Sequence, residues 1–290
     1  MSTHGETRFL TTRELADLLR VKERKIYDMA AANEVPCVRV TGKLLFPKDE
    51  IDAWIARDRA GPDPPAPAAV VAGSHDPLLA WAIRQSGCGL ATFFDGSLDG
   101  LDRLAARGAV MAGTHIRESE TDWNLAHVAE RFHHLPVVTI GWARRQQGLI
   151  VRRDAGIAAV ADLAGRRLAL RQPGAGSRIL YDQLAAEAGL PADACLVVEE
   201  ARTETDAAAV VAAGRADAAL GLACVAGQFG LGFVPLVWEI FDLVVWRRDF
   251  FEEPLQRLRA FTQDPSFAGK ARELGGYDLA PLGRVRWNGA

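Results

Sequence analysis

Residues 168–184 read LALRQPGAGSRILYDQL. Leu168, Ala169 and Leu170 form a short apolar run of the kind a buried strand shows, and Ile179, Leu180 and Leu184 fall on one face of a following helix. Between them lies Gln172-Pro173-Gly174-Ala175-Gly176-Ser177-Arg178. The pattern is strand, glycine-rich turn, helix start. The first turn of a helix carries unpaired N–H groups and the positive end of the helix dipole. Glycines let those groups approach a ligand closely, and Ser177 adds a hydroxyl, so the chemistry implied is anion capture. The plain alternative is an ordinary capped turn between a strand and a helix, and the rest of the chain decides the weight of each.

Working outward, the same alternation runs from residue 70 to the C-terminus. Apolar runs at Val70–Gly73, Gly89–Phe94, Ala109–Gly113, Val137–Gly141, Gly148–Val151, Cys195–Val198, Ala218–Gly221, Phe233–Leu236 and Phe241–Val245 read as strands. Amphipathic stretches between them read as helices, among them Ile157–Leu163, Thr205–Ala213 and a helical tail over Pro254–Leu274. This alternation predicts an α/β architecture with mostly parallel sheets. Ser74, Ser97, Thr114 and Ser177 each stand where a strand hands over to a loop or helix, and open α/β sheets bind ligands at those strand ends. One such hydroxyl is usually only a cap; four in matching positions favour a shared site.

The stretches GSHDPLLAWAI, DGSLDGLDRLAARGAVMAGTHI, ETDWNL, RQQGLIV, RQPGAGSRILYDQL, GRADAALGL and LGFVPLVWEIFDLVV together resemble the periplasmic-binding-protein type 2 superfamily. Within it they are similar to the molybdate/tungstate-binding-like domains found fused to helix-turn-helix modules. The resemblance implies a two-lobed Venus-flytrap domain over 70–290, with lobe one from 70–147 and 237–290, lobe two from 148–236, and hinge crossings at Gln147-Gly148 and Leu236-Val237. It implies a ligand between the lobes, held by Ser74, His75, Ser97, Thr114 and His115 on one side and by Gly176, Ser177, Arg178, Thr203 and Gly221 on the other, and it makes molybdate or tungstate the expected effector. The chain departs from that pattern in having Glu204 where a His is common and Phe241 where a Tyr is common. A carboxylate is costly in an oxyanion site unless it is paired or turned away. Glu204, Asp76 and the histidines would suit an amine-bearing ligand better than a bare oxyanion, which leaves as alternatives a regulator of the same architecture sensing an organic acid or amine-bearing molecule, or a solute-binding protein that does not bind DNA.

The first fifty-odd residues differ in character. Thr11 or Thr12 can cap a helix, with Glu14 completing a capping box; Leu15, Leu18 and Leu19 form its apolar face. A second helix is expected from about Glu23 to Asn33, with Ile26, Met29 and Ala30 inward. Two short strands follow about Thr41-Gly42, then a helix from Lys48 anchored by Ile51, Trp54 and Ile55. The stretch LTTRELADLLRVKERKIYDMAAANEVPCVRVTGKLLFPKDEIDAWI resembles the excisionase/MerR-like winged helix-turn-helix family. The resemblance implies a DNA-binding domain over 1–57 in which Lys22, Arg24, Lys25 and Tyr27 meet the major groove or phosphates and Arg39 and Lys43 meet the backbone. A single module of this size buries little DNA, so a homodimer on a two-fold site is expected. Pro-rich residues 58–69 read as a semi-rigid linker.

The whole chain bounds these readings. Its 290 residues carry a net charge of −3, with 49% hydrophobic and 24% charged residues. The composition is that of a globular protein, and any DNA contact must come from a local basic patch. Cys37, Cys88, Cys195 and Cys224 lack metal spacing and read as reduced thiols. With no signal-peptide pattern and no membrane-length apolar run, a cytoplasmic protein without membrane partners is expected. No nucleophile elbow, Walker loop or carboxylate pair is present, so no enzyme activity, metal or cofactor is expected beyond the effector itself. Trp123, Trp142, Trp238 and Trp246 read as packing groups. Asp76 reads equally well as a helix start, and His115 as a structural group.

Overall fold

The computed structural model of the chain describes residues 9–57 and 66–289. The chain divides between Pro65 and Ala66. The linker expected over 58–69 lies outside the described residues as far as Pro65. Ala68 and Ala69 already bond into the larger unit, with Ala68 N–H to Arg107 O at 3.3 Å and Ala91 N–H to Ala69 O at 3.0 Å.

The N-terminal unit runs β1 (Phe9–Thr11), α1 (Thr12–Leu19), α2 (Glu23–Ala31), β2 (Val38–Val40), β3 (Lys43–Pro47), α3 (Lys48–Arg57). Thr11 and Glu14 close a reciprocal capping box at the start of α1. The hairpin between β2 and β3 turns on Thr41 and Gly42, both with positive φ (49° and 79°), as a two-residue turn of the right twist requires. β1 was not anticipated; it pairs with β3, giving sheet order β1-β3-β2. Leu15, Ile26, Phe46 and Ile51 form the core. Leu18, expected inward, is 52% exposed. The buried stripe of α1 passes through Thr12, Leu15 and Ala16, and at 100° per residue Leu18 lies about a third of a turn away from it.

The larger unit runs β4 (Val70–Gly73), α4 (Pro77–Ser86), β5 (Ala91–Phe93), α5 (Ser97–Ala105), β6 (Met111–Thr114), α6 (Leu125–Phe132), β7 (Val137–Val151), β8 (Arg167–Arg171), α7 (Gly176–Glu187), β9 (Leu196–Ala201), α8 (Glu204–Ala212), β10 (Ala218–Leu222), α9 (Ala223–Gln228), β11 (Gly232–Trp246), α10 (Glu253–Phe261), α11 (Pro265–Leu274), β12 (Tyr277–Asp278) and β13 (Val285–Asn288). One sheet has the order β5-β4-β6-β11-β7-β10-β8-β9, with β12 and β13 also on β7. Its two halves repeat one plan. β4 lies parallel between β5 and β6, and β8 lies parallel between β9 and β10; β6 and β10 each then meet a long antiparallel strand.

This corrects the expectation of mostly parallel pairing. The outer strands of each half are parallel, but the centre, where β7 and β11 run side by side, is antiparallel. It also joins what read as four strands into two of 15 residues each. The polar stretch between the apolar runs does not break them, because Arg145 on β7 sits opposite Glu239 on β11, and opposite charges facing across a ladder support the pairing. Val71, Leu79, Met111 and Phe267 pack one half, and Leu149, Leu163, Leu168 and Leu180 the other. Of the helix expected over Ile157–Leu163 only a 3-10 turn at Val160–Leu163 forms.

Candidate ligand cleft and nucleic-acid interface

The starts of α4, α5, α7 and α8, each after a strand end of the larger unit, are of two kinds. Asp76 caps α4, accepting from Leu79 N–H at 2.6 Å. Thr203 caps α8 through a reciprocal box with Asp206. α5 and α7 begin at Gly96 and Ala175 with no side-chain cap. These two bare starts come from opposite halves and meet. A Cβ on Gly96 would lie 3.2 Å from Ala175 Cα, and one on Gly176 would lie 2.7 Å from both the ring Nε2 and the carbonyl of His115. Glycine at 96 and 176 is therefore what allows the close approach. The positive ends of two helix dipoles, one per half, converge there, and neither start is capped by a side chain among the described residues.

The predicted site residues distribute around this point. Ser74 and Ser97 share a hydrogen bond at 2.7 Å, and Ser97 Oγ accepts from His115 N–H at 3.2 Å. Ser177, on the first turn of α7, is 1% exposed, and its Oγ has no hydrogen-bond partner among the described residues. Thr114 ends β6 and donates to Asn124 Oδ1 at 3.4 Å. Gly221, on β10, stands beside Glu204 Cβ. Three others are engaged locally. Thr203 spends its hydroxyl on the cap of α8. Arg178 holds Asp182 at 3.0 Å and the carbonyl of Arg171 at 3.3 Å. His75 stacks edge-on to Phe94; burial holds its ring below the usual pKa, against the pull of Asp76 and Glu204.

Next to these lies a buried polar wall that the sequence reading largely missed. Asp76 accepts from Trp142 Nε1 at 3.0 Å, Arg145 Nη1 at 3.0 Å and Tyr277 OH at 2.6 Å, so its oxygens are consumed by structure. Arg145 also pairs with Glu239, which holds His115 Nδ1 at 2.7 Å. Burial works against the Arg145 charge, but Glu239 and Asp76 outweigh it and hold the guanidinium charged. Gln147 Nε2 donates to Glu204 Oε1 at 3.0 Å and to Glu239 Oε1 at 3.4 Å. Arg145 and Gln147 are two apart on β7 and so share one face of the sheet. Glu204 is 3% exposed, and its Oε2 has no hydrogen-bond partner among the described residues; nor has Gln147 Oε1. The visible signal in the sequence was RRQQ within an apolar context, where two charges and two amides interrupt a strand.

The halves are also clasped at the rim. Arg117 Nη1 meets Glu187 Oε1 at 2.6 Å, and Gln183 Nε2 donates to the carbonyl of Arg117 at 3.2 Å. Asp95 receives Gln172 Nε2 at 3.2 Å and Arg202 Nη1 at 2.9 Å. The two halves are thus in direct contact, with polar groups of each bonded to the other.

In the N-terminal unit, Lys22 is the N-cap residue of α2, and Arg24, Lys25 and Tyr27 follow on its exposed side. Arg39 lies on β2 and Lys43 begins β3, on either side of the Thr41-Gly42 turn. All six residues are exposed, and their side chains make no ion pair or hydrogen bond among the described residues. Exposed cations without internal partners on a second helix and a hairpin are what phosphate contact needs.

The larger unit has the architecture of a two-lobed binding protein, and the smaller one that of a helix-turn-helix module. A PBP superfamily domain model matches residues 80–263, and a helix-turn-helix domain model matches residues 9–59. The chain belongs to the PBP superfamily. It is 25% identical over 309 aligned positions to the uncharacterized protein YvgK of Bacillus subtilis (strain 168), covering 97% of this chain and 98% of that one. Among solved structures it is similar to an ancestral arginine-binding protein bound to glutamine (16% identity, TM-score 0.47, 74% of this chain and 100% of that one). It is also similar to the alkanesulfonate-binding protein SsuA from Xanthomonas axonopodis pv. citri bound to MOPS (16% identity, TM-score 0.47, 73% and 79%). No helix among the described residues is long and apolar enough to cross a membrane.

Proposed function

We propose that this chain is a DNA-binding transcriptional regulator whose PBP-like domain senses a small oxyanion. One observation carries the effector reading. The two bare helix starts, α5 and α7, come from opposite halves and meet, and Ser177 Oγ on the first turn of α7 is a buried hydroxyl with no hydrogen-bond partner among the described residues. Converging N–H groups and neutral hydroxyls are the donors that hold an oxyanion without a counter-charge. Within that class the sequence resemblance puts molybdate and tungstate first. Glu204 favours a second reading, an organic acid carrying an amine. The ligand acts by binding one arrangement of the halves better than another, and that difference is all that can reach the DNA-binding unit. The chain works as a homodimer in the cytoplasm, with no catalytic role.

Calorimetric titration of the full chain with molybdate, tungstate, sulfate and phosphate tests the effector class. Dissociation constants of about 1 μM or tighter are expected for an effector of this class, weakened at least tenfold in Ser177→Ala. Absence of binding by every anion tried, with Ser177→Ala indistinguishable from wild type, removes the oxyanion reading. The DNA arm is separate. Lys25→Ala should weaken binding to duplexes of any sequence and lower the salt slope by about one; an unchanged slope would take Lys25 out of the interface.

A further inference from the structure

Glu204 is not explained by anion capture. It opens α8, where the N–H groups of the first turn already have the Thr203 cap. Its Oε1 accepts from Gln147, and its Oε2 is buried without a hydrogen-bond partner. Asp76 and Glu239, the other two acids of the wall, are each tied to Arg145. Glu204 has instead a neutral amide for a partner. Arg171, the cation whose charge it supports, turns its Nε to Gln172 and to the carbonyl of Ala201. A buried carboxylate oxygen with no donor is costly, and it is satisfied only by a hydrogen brought to it.

A fully ionised dianion brings none. Glu204 is linked to the start of α7 through Gln147, Glu239 and His115, against which Gly176 packs, and a dianion held at that start has no hydrogen to offer the Glu204 oxygen. A ligand with an O–H or N–H beside its anionic group satisfies both sides at once: its anionic oxygens take the helix N–H groups and Ser177, and its donor takes Glu204 Oε2. Gln147 supports this division, since its amide N–H groups are given to Glu204 and Glu239 and its own Oε1 is a second buried acceptor without a hydrogen-bond partner among the described residues.

We propose that Glu204 is the specificity-determining residue of the cleft, selecting anions that also present a hydrogen-bond donor and rejecting fully ionised dianions. The inference rests on the anion reading and narrows it. Two sources share this chemistry: an oxyanion that keeps a proton at neutral pH, as phosphate does, and an amine-bearing organic anion, such as an aminosulfonate.

Calorimetry on the full chain at neutral pH separates them. The probes are phosphate, 2-aminoethanesulfonate, ethanesulfonate, sulfate and molybdate, each against wild type, Glu204→Gln and Ser177→Ala. At least one donor-bearing anion should bind wild type about a hundredfold more tightly than sulfate and molybdate, as expected when a site built around a hydrogen bond meets an analogue lacking it. Phosphate or the aminosulfonate leading then identifies the source. Glu204→Gln keeps an acceptor for Gln147 but offers an N–H in place of the free oxygen. It should cost the donor-bearing anion about tenfold and improve sulfate or molybdate about tenfold. Sulfate or molybdate binding wild type as tightly as every donor-bearing probe, while weakened by Ser177→Ala, overturns the role of Glu204 and leaves the anion site standing. No binding by any probe overturns both. If Glu204→Gln melts far below wild type, the ranking on the wild-type chain decides alone.

Discussion

The capped helix starts, α4 and α8, and the bare ones, α5 and α7, are built from the same materials: a strand end, a turn, and a small or hydroxyl-bearing residue. In the first pair the side chain turns inward and satisfies the helix's own N–H groups, at Asp76 and at Thr203. In the second pair a glycine or alanine stands at the cap, and the nearest hydroxyl, Ser97 or Ser177, sits one or two residues inside the helix. The difference separates stability from binding. A capped start spends its side chain on the fold, whereas a bare start gives up the contribution of a side-chain cap, about 1 kcal/mol, and keeps some of its donors, although Leu98 N–H of α5 goes to the carbonyl of Gly174 and Arg178 N–H of α7 to that of Ala175.

Substitutions can break this division. The largest effect is expected at Asp76. Asp76→Ala removes the cap of α4 and leaves the fully buried Arg145 with one acid fewer, so unfolding by urea should show a loss of about 3–5 kcal/mol. A loss below about 1 kcal/mol would mean that Asp76 is not structural. The next contrast sets Ser177→Ala against Thr203→Ala. The first should leave stability within about 0.5 kcal/mol, since no protein group loses a bond, while weakening anion binding at least tenfold. The second should cost about 1 kcal/mol of stability and leave anion binding nearly unchanged. The reverse pattern would exchange their roles.

The smallest effect concerns pH. Burial lowers the pKa of His75 in the folded chain from its ordinary 6.5. The unfolded chain therefore takes up this proton first, and the contribution of His75 to stability is present above about pH 6.5 and falls as the pH drops below it. Asp242 acts in the other direction, because burial pushes its carboxyl up to about 6 from 3.8; its contribution is present at low pH and is lost as the pH rises through 6. Melting temperatures of wild type and His75→Gln at pH 7 and pH 5.5 isolate the first term. The gap between the two proteins should shift in favour of the variant at the lower pH, and an unchanged gap would show His75 to be free to charge.

The elements of the fold were legible where local rules decide. The Thr11–Glu14 box, the Thr41-Gly42 turn and the run from Leu168 through Ser177 to α7 follow from capping, turn chemistry and periodicity. The long strands were not, because Arg145, Gln147 and Glu239 look like breaks until the partner strand supplies the opposite charge. The helix starts were half legible. Ser74, Ser97, Thr114 and Ser177 could be placed at strand ends, but only the tertiary structure separates a hydroxyl spent on its own helix, as at Thr203, from one with no partner among the described residues, as at Ser177. Glu204 stood out as a departure from a family pattern; that Gln147 occupies one of its oxygens and leaves the other bare is a tertiary fact. Leu18 shows the remaining limit, since an apolar residue on a short helix can point either way.

β7 and β11 cross the domain as hydrogen-bonded neighbours, with register shifts between Pro235 and Val237 and between Phe241 and Asp242. A joint made of two separate threads can swivel, but a joint made of one laminated ribbon behaves as a leaf spring. Its bending is soft across the ribbon's plane and stiff within it. The two register shifts are where the ladder is interrupted and the ribbon bends most readily. A change in the angle between the halves therefore has to bend this ribbon as one body rather than turn each crossing separately.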